Sequence, residues 1–214
     1  MKIKGAVFDL DGTLLNTMSI WHTIGEDYLL SRGIQPRENL GVAFKDLSFY
    51  QAACYYQSEY GLSESTDEII AGVTKLMEAT YLEQASPKDG VEEVLSRFKS
   101  QGVQMCVTTA NEKPLAEAAL EHCGLLHYFS KVLTCGEIGH GKDEPQIYEA
   151  AQSLLGTKKE HTYVFEDALY AVRSAKAAGY PVVGVCDPSE DCPEEVKNLA
   201  DYYIISFLEM EAML

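Results

Sequence analysis

The chain opens on one short β-prone run that has no partner nearby. Lys2 to Phe8 reads KIKGAVF and stops against Asp9. A strand leaves its backbone N–H and C=O groups unpaired until others line up beside it. The stretch that follows offers none. Three segments, Thr17–Ser31, Phe44–Tyr60 and Ser63–Gln84, carry Ala, Leu, Glu and aromatic residues at helical spacing. Ser63, with Thr66 or Asp67 close by, supplies capping chemistry for the third. The partners of the first strand must therefore come from further along.

Beyond Pro87 the pattern changes to alternation. Helix Val91–Phe98 precedes an apolar strand, Val103–Thr108, and helix Pro114–Cys123. Strand Lys131–Thr134, helix Pro145–Leu155, strand Thr162–Phe165 and helix Ala168–Ala178 follow. Strand Pro181–Val185, helix Pro193–Leu199 and a weak strand Tyr203–Ile205 end the series. Apolar strands alternating with helices predict an α/β fold, a Rossmann-like parallel sheet covered on both faces. The expected organisation is a core of residues 1–14 and 87–214, with a helical unit of residues 15–86 inserted after the first strand. The competing reading is one continuous fold with a helical N-terminal half.

Charge narrows the range of partners. The 33 acidic and 17 basic residues give a net charge of −16. Such a surface repels nucleic acid and anionic membrane, so neither is expected as a partner. No apolar stretch approaches the roughly 18 residues of a membrane span. The opening MKIKGAVFDLDGT resembles neither a signal peptide nor an anchor. The six cysteines form no C-x-x-C pair and read as reduced thiols, which suggests a cytoplasmic address. His122, His127, His140 and His161 match no zinc-site spacing.

In open parallel sheets, ligands bind beyond the carboxyl ends of the strands. Those ends carry Asp9 and Asp11, then Thr108, Thr109, Ala110 and Asn111, then Glu166 and Asp167. Lys142 stands in a glycine-rich loop, GEIGHGK, just before the helix opened by Pro145. Each feature alone has an ordinary explanation. Asp-x-Asp-Gly can be an Asx turn, Glu-Asp can cap a helix, and a lone Lys is commonly solvated. Their shared position against successive strands points instead to one site. Converging carboxylates call for a cation, and Mg²⁺ takes hard oxygen ligands. A carboxylate can attack phosphorus, a second can move the proton, and Lys with a hydroxyl can hold phosphoryl oxygens. Backbone N–H groups at Leu10, Ala110 and Asn111 are further anion contacts.

These residues resemble the haloacid dehalogenase superfamily of phosphohydrolases. Val7-Phe8-Asp9-Leu10-Asp11-Gly12-Thr13-Leu14 is similar to its first motif, and Thr109 to the second. Lys142, with Pro145 three residues on, is similar to the third, and Val164-Phe165-Glu166-Asp167-Ala168 to the fourth. The helical stretch after the first strand suits the family's helical-bundle cap. The subgroup nearest in pattern is that of phosphoglycolate phosphatases and β-phosphoglucomutase-like enzymes. The resemblance implies Asp9 as nucleophile and metal ligand, and Asp11 as general acid/base with a carbonyl on the metal. It implies Thr109 and Lys142 as phosphoryl ligands, Asp167 as a metal carboxylate, and Glu166 acting through metal-bound water or through a contact to a group that holds the metal. Thr17 would lie near the cap hinge and the site.

The chain departs from that pattern in several places. Asp143 and Glu144 follow Lys142 where the family has Pro and a variable residue, Gln146 replaces Asp, and Ala171 replaces Gly. Trp21 stands where the mutase-like enzymes carry a cap histidine, and Phe44, followed by Lys45, stands where they carry an arginine. Loss of a cap cation argues for hydrolysis over mutase chemistry, and Asp11 argues against halide removal. The expected activity is magnesium-dependent hydrolysis of a small phosphate monoester, such as a sugar phosphate, by a monomer through an aspartyl-phosphate. The alternatives are a sugar phosphomutase and a non-catalytic binding protein on the same fold. Substrate choice would fall to the insert, which is rich in aromatics: Trp21, Tyr28, Phe44, Phe49, Tyr50, Tyr55 and Tyr56.

Overall fold

Strand β1, Gly5–Phe8, is buried at all four positions, as an apolar run between two parallel neighbours must be. Its neighbours come from far along the chain. The computed structural model describes residues 2–38, 40, 44 and 49–212. It divides into two compact units, Met1–Asn16 with Ala85–Leu214, and Thr17–Gln84.

The inserted unit is helical. It contains α1, Met18–Ser31, α2, Phe49–Tyr60, and α3, Thr66–Gln84. Tyr28 and Tyr56 are fully buried between these helices, with ring centroids 5.5 Å apart. The Tyr56 hydroxyl donates to the carbonyl of Gly25, which satisfies its one polar atom in the bundle core. Tyr50, by contrast, is exposed. The start of α3 differs from the expectation. Ser65, not Ser63, closes the end: its hydroxyl accepts the Glu68 N–H while the Glu68 carboxylate accepts the Ser65 N–H. That reciprocal pair is a capping box, and it sets the helix start at Thr66. Lys45 lies outside the described residues, as does the side chain of Phe49.

The second unit resumes with α4, Val91–Ser100, then β2, Gln104–Thr109, and α5, Lys113–His122. Strand β3, Val132–Thr134, runs directly into α6, Cys135–Ile138. Next come α7, Gln146–Leu155, β4, Thr162–Glu166, and α8, Leu169–Ala177. Strand β5, Val182–Val185, α9, Pro193–Leu199, and β6, Tyr202–Ile204, complete it. The six strands form one sheet in the order β3-β2-β1-β4-β5-β6, and every pair is parallel. The expected α/β class, a parallel sheet with helices inserted after its first strand, is what the structure contains.

Alternation along each strand sorts side chains to the two faces. Phe8 and Phe165 lie against Phe98 of α4 and against Phe207, with Phe8 and Phe165 stacked at 4.4 Å. Val7, Cys106 and Val164 pack on the opposite side with Ile147, Tyr148 and Ala151 of α7 and Val172 and Ala175 of α8. Both faces are thus apolar and covered, which leaves strand ends as the place for polar groups. Phe98 is fully buried and anchors α4. Phe98→Ala is expected to lower unfolding free energy by about 3–5 kcal/mol. Urea titration checks this: the midpoint should fall with little change in slope, and a loss under about 1 kcal/mol would contradict the packing account.

Candidate active site

Register aligns the strand ends. Phe8 pairs with Val107 on one side and with Phe165 on the other, so Asp9 and Glu166 emerge side by side where β1 and β4 finish. The Asp9 N–H donates to the carbonyl of Phe165 at 3.0 Å and extends that ladder by one bond. The chain then turns sharply. Gly12 adopts φ 84°, a left-handed conformation that a side chain disfavours, and its N–H donates to Leu15 O. Leu14 and Leu15 both donate to Leu10 O, so the turn that carries Asp11 is pinned at both ends.

Three carboxylates converge here. One oxygen each from Asp9, Glu166 and Asp167 lie within 4.8 Å of one another, and all three residues are buried. Lys142, 4% exposed, enters from the loop between α6 and α7. Its ammonium donates to Asp9 Oδ1 and to Glu166 Oε1, the latter at 2.6 Å. Burial alone would pull the Lys142 ammonium down, but the Asp9 and Glu166 charges overcome this and hold it well above its usual range. Burial pushes Glu166 up to about 7, against the pull of Lys142. Burial, then the charges of Asp9 and Glu166, raise Asp167 well above the ordinary carboxylate range.

The donor set fits a divalent cation. It offers hard oxygens only, and Asp9 Oδ2 is buried with no hydrogen-bond partner. Fully ionised, the three carboxylates and the Lys142 ammonium would carry a net charge of −2, which one Mg²⁺ balances.

The other residues singled out from the sequence fall at several places. Thr109 ends β2 and is 1% exposed; its hydroxyl accepts the Asn111 N–H at 3.0 Å. That backbone donor is therefore engaged. The Asn111 side chain instead directs Oδ1 to the Glu112 N–H and leaves its buried Nδ2 without a partner. Ala110 is exposed and Leu10 is fully buried. The Asp11 carboxylate is not one of the three clustered oxygens. Thr17 stands at the N-cap position of α1, where its side chain makes no capping hydrogen bond, and belongs to the helical unit.

Two supporting contacts have no counterpart in the sequence reading. Thr13 Oγ1 donates to Asp167 Oδ1 at 2.9 Å, and the Tyr148 hydroxyl donates to Glu166 Oε1 at 3.3 Å. Such groups orient ligands from behind, and only the folded sheet brings them together. The stretch read as a glycine-rich loop before Lys142 also begins as a helix. Thr134 and Glu137 form a capping box over α6, and Gly139 closes it at φ 79°. The T-x-x-E signal was present in the sequence, but Gly136 and Gly139 obscured it.

Comparison with known proteins agrees with this geometry. The chain is 30% identical over 197 residues to hexitol phosphatase A of Escherichia coli (strain K12), covering 89% of this chain and 86% of that one. It is 28% identical over 183 residues to a phosphoglycolate phosphatase of Rhodobacter capsulatus, covering 83% and 81%. Its fold matches the crystal structure of a candidate β-phosphoglucomutase from Thermotoga maritima with a TM-score of 0.88, 21% identity, and 99% and 100% of the two chains covered. No helix among the described residues is long and apolar enough to cross a membrane. The family model for haloacid dehalogenase-like hydrolases matches residues 6–185, and with the Asp9–Glu166–Asp167 cluster in place the chain belongs to that hydrolase family.

Proposed function

We propose that this hydrolase is a magnesium-dependent phosphatase of a small soluble phosphate monoester, a sugar or polyol phosphate or similar, working through a phosphoryl group carried on Asp9. One observation carries the reading: Asp9 Oδ2 is buried and unpartnered beside two further carboxylates, while Lys142 holds Oδ1. The phosphatase names of the relatives support the same reaction class.

Asp9, Asp167, the Asp11 carbonyl and Glu166 would hold the cation, which supplies charge neutralisation when bound. The rest is done by the chain. Asp9 Oδ2 forms a bond to phosphorus as the ester P–O bond breaks, and Asp11 gives its proton to the departing oxygen. Water then adds to phosphorus, Asp11 takes a proton from it, and the Asp9 carboxylate leaves. Lys142 and the Thr109 hydroxyl hold phosphoryl oxygens through both steps. Glu166, with Tyr148 behind it, keeps the Lys142 ammonium in place.

The test is release of inorganic phosphate, with Mg²⁺, from sugar phosphates, polyol phosphates, phosphoglycolate and nucleoside monophosphates. At least one ester is expected to reach the ordinary enzymatic range of kcat/KM, on the order of 10⁴ M⁻¹s⁻¹ or more. Isomerisation of a sugar phosphate without phosphate release would establish the mutase instead. Failure of every ester would leave only the binding protein.

A further inference from the structure

Asp9 and Glu166 are drawn together by the Lys142 ammonium, which donates to both. Asp167 is placed differently. It accepts from the neutral Thr13 hydroxyl at 2.9 Å, and it has the like charges of Asp9 and Glu166 within 4.8 Å. It also stands on a short turn, with only Asp167 and Ala168 between the end of β4 at Glu166 and the start of α8 at Leu169. The sheet fixes one end of that turn. The other end depends on how the first turn of α8 is held. The N-cap position of α8 is Ala168, which has no side-chain acceptor to offer.

The acceptor comes from the loop after β5. Glu190 Oε2 accepts the Leu169 N–H at 2.9 Å, and its Oε1 accepts the Cys192 N–H at 2.8 Å, at the N-cap of α9. One carboxylate thus joins the starts of two helices, where the backbone dipoles favour negative charge. Its loop is anchored in turn. Asp187, 6% exposed, accepts the Ser189 N–H and hydroxyl through Oδ1 and pairs through Oδ2 with the Lys88 ammonium at 2.8 Å. Lys88 donates its backbone N–H to Leu14 O, one residue from Thr13. The contacts close a ring that runs from Thr13 to Asp167, from Leu169 to Glu190, from Asp187 to Lys88, and back to Leu14. Every member lies in the α/β unit.

We infer that Glu190 is a positioning residue for Asp167: by holding the Leu169 N–H from the loop after β5, it keeps the Asp167 carboxylate converged with Asp9 and Glu166 in the arrangement that receives the cation. The inference rests on the reading of Asp167 as a metal ligand. It assigns Glu190 no contact with metal or substrate; the effect passes through the backbone of the turn.

Calorimetric titration of Mg²⁺ into wild type, Glu190→Ala and Glu190→Gln tests this without substrate. Glu190→Ala is expected to weaken Mg²⁺ binding roughly tenfold, the size usual when a group behind a metal ligand is removed. Its Tm should fall by only a few degrees, as for one lost cap. Glu190→Gln keeps an oxygen for the Leu169 N–H and is expected to stay within about threefold of wild type. In phosphate release, Glu190→Ala should need roughly tenfold more Mg²⁺ for half its maximal rate and recover at saturating Mg²⁺, with KM for the ester unchanged. A lower Tm with unchanged Mg²⁺ affinity would leave Glu190 a helix cap only and overturn the inference. Equal weakening by Gln and Ala would trace the effect to charge and overturn it too. Wild type that binds no Mg²⁺ would remove the metal reading and the inference together. Mg²⁺ binding without turnover of any ester would sink the phosphatase reading alone, and the measured affinities would still decide for or against Glu190.

Discussion

Asp9→Asn is expected to lower phosphate release by at least about 10⁴-fold while leaving the folded structure intact. The side chain is held from both directions. Its backbone N–H is in the β1–β4 ladder, and Lys142 fixes Oδ1. Asn fills the same space, and its amide oxygen can still accept from Lys142. What it lacks is a second anionic oxygen with a free lone pair, the property that distinguishes Oδ2. Asp11→Asn should be less severe, slowing turnover roughly 10²–10⁴-fold, because it removes proton transfer but not the nucleophile. The two variants should also separate in stability. Asp9 is one of the charges that raise Asp167 and Glu166, so its loss relieves repulsion in the metal-free protein. Asp9→Asn is therefore expected to melt no lower than wild type. Rapid acid quench and mass spectrometry should find the phosphoryl group on Asp9 in wild type. An adduct on any other residue, or near-normal turnover by Asp9→Asn, would refute the mechanism.

How much of this could be read from the sequence depended on the range of each interaction. Parallel strands buried on both faces are continuous apolar runs, so GAVF, MCVTT and TYVFE announced themselves, and their last residues marked the rim. The strand order was not legible. Nothing local in VVGV says that it pairs with β4, yet that pairing places β1 and β4 at the centre and Asp9 beside Glu166. The contacts from behind were hidden for the same reason. Thr13 reaches Asp167 across 154 positions of sequence. Nothing local marks Tyr148 on α7, and only the closed sheet turns its hydroxyl toward Glu166. The two capping boxes, by contrast, were written locally as T-x-x-E and S-x-x-E, and a stricter reading for those patterns finds both.

Removal of divalent cations is expected to abolish turnover and to make stability fall as pH rises from 5 to 8, and Mg²⁺ should reverse both. The argument begins with charge. Asp9, Glu166 and Asp167 are buried together, and the Lys142 ammonium is paired with two of them, Asp9 and Glu166. Glu166 has a folded pKa of about 7, above its ordinary 4.5, and Asp167 is also raised above its ordinary 3.8. A carboxyl with a raised folded pKa binds more protons when folded than when unfolded. Stability then falls with pH between the two values, which for Glu166 means from about 4.5 to about 7. Asp167 acts in the same direction. Lys142 is raised above 10.5, so its stabilising contribution is already complete at pH 8 and adds no slope in this window. Glu166 alone accounts for a loss on the order of 3 kcal/mol, or roughly 5–10 °C in Tm. Bound Mg²⁺ favours the ionised carboxylates and so removes the slope. At a hundred times its Kd a ligand adds about 2.7 kcal/mol. The Tm gain from Mg²⁺ should accordingly be larger at pH 8 than at pH 5, where protons compete for the same oxygens. Asp167→Asn should shrink the pH slope and the Mg²⁺ gain together. Scanning calorimetry in EDTA and in Mg²⁺ at both pH values decides the matter, alongside phosphate release. Full turnover in excess EDTA, or a Mg²⁺ gain that is the same at both pH values, would remove the basis for a metal held by these three carboxylates.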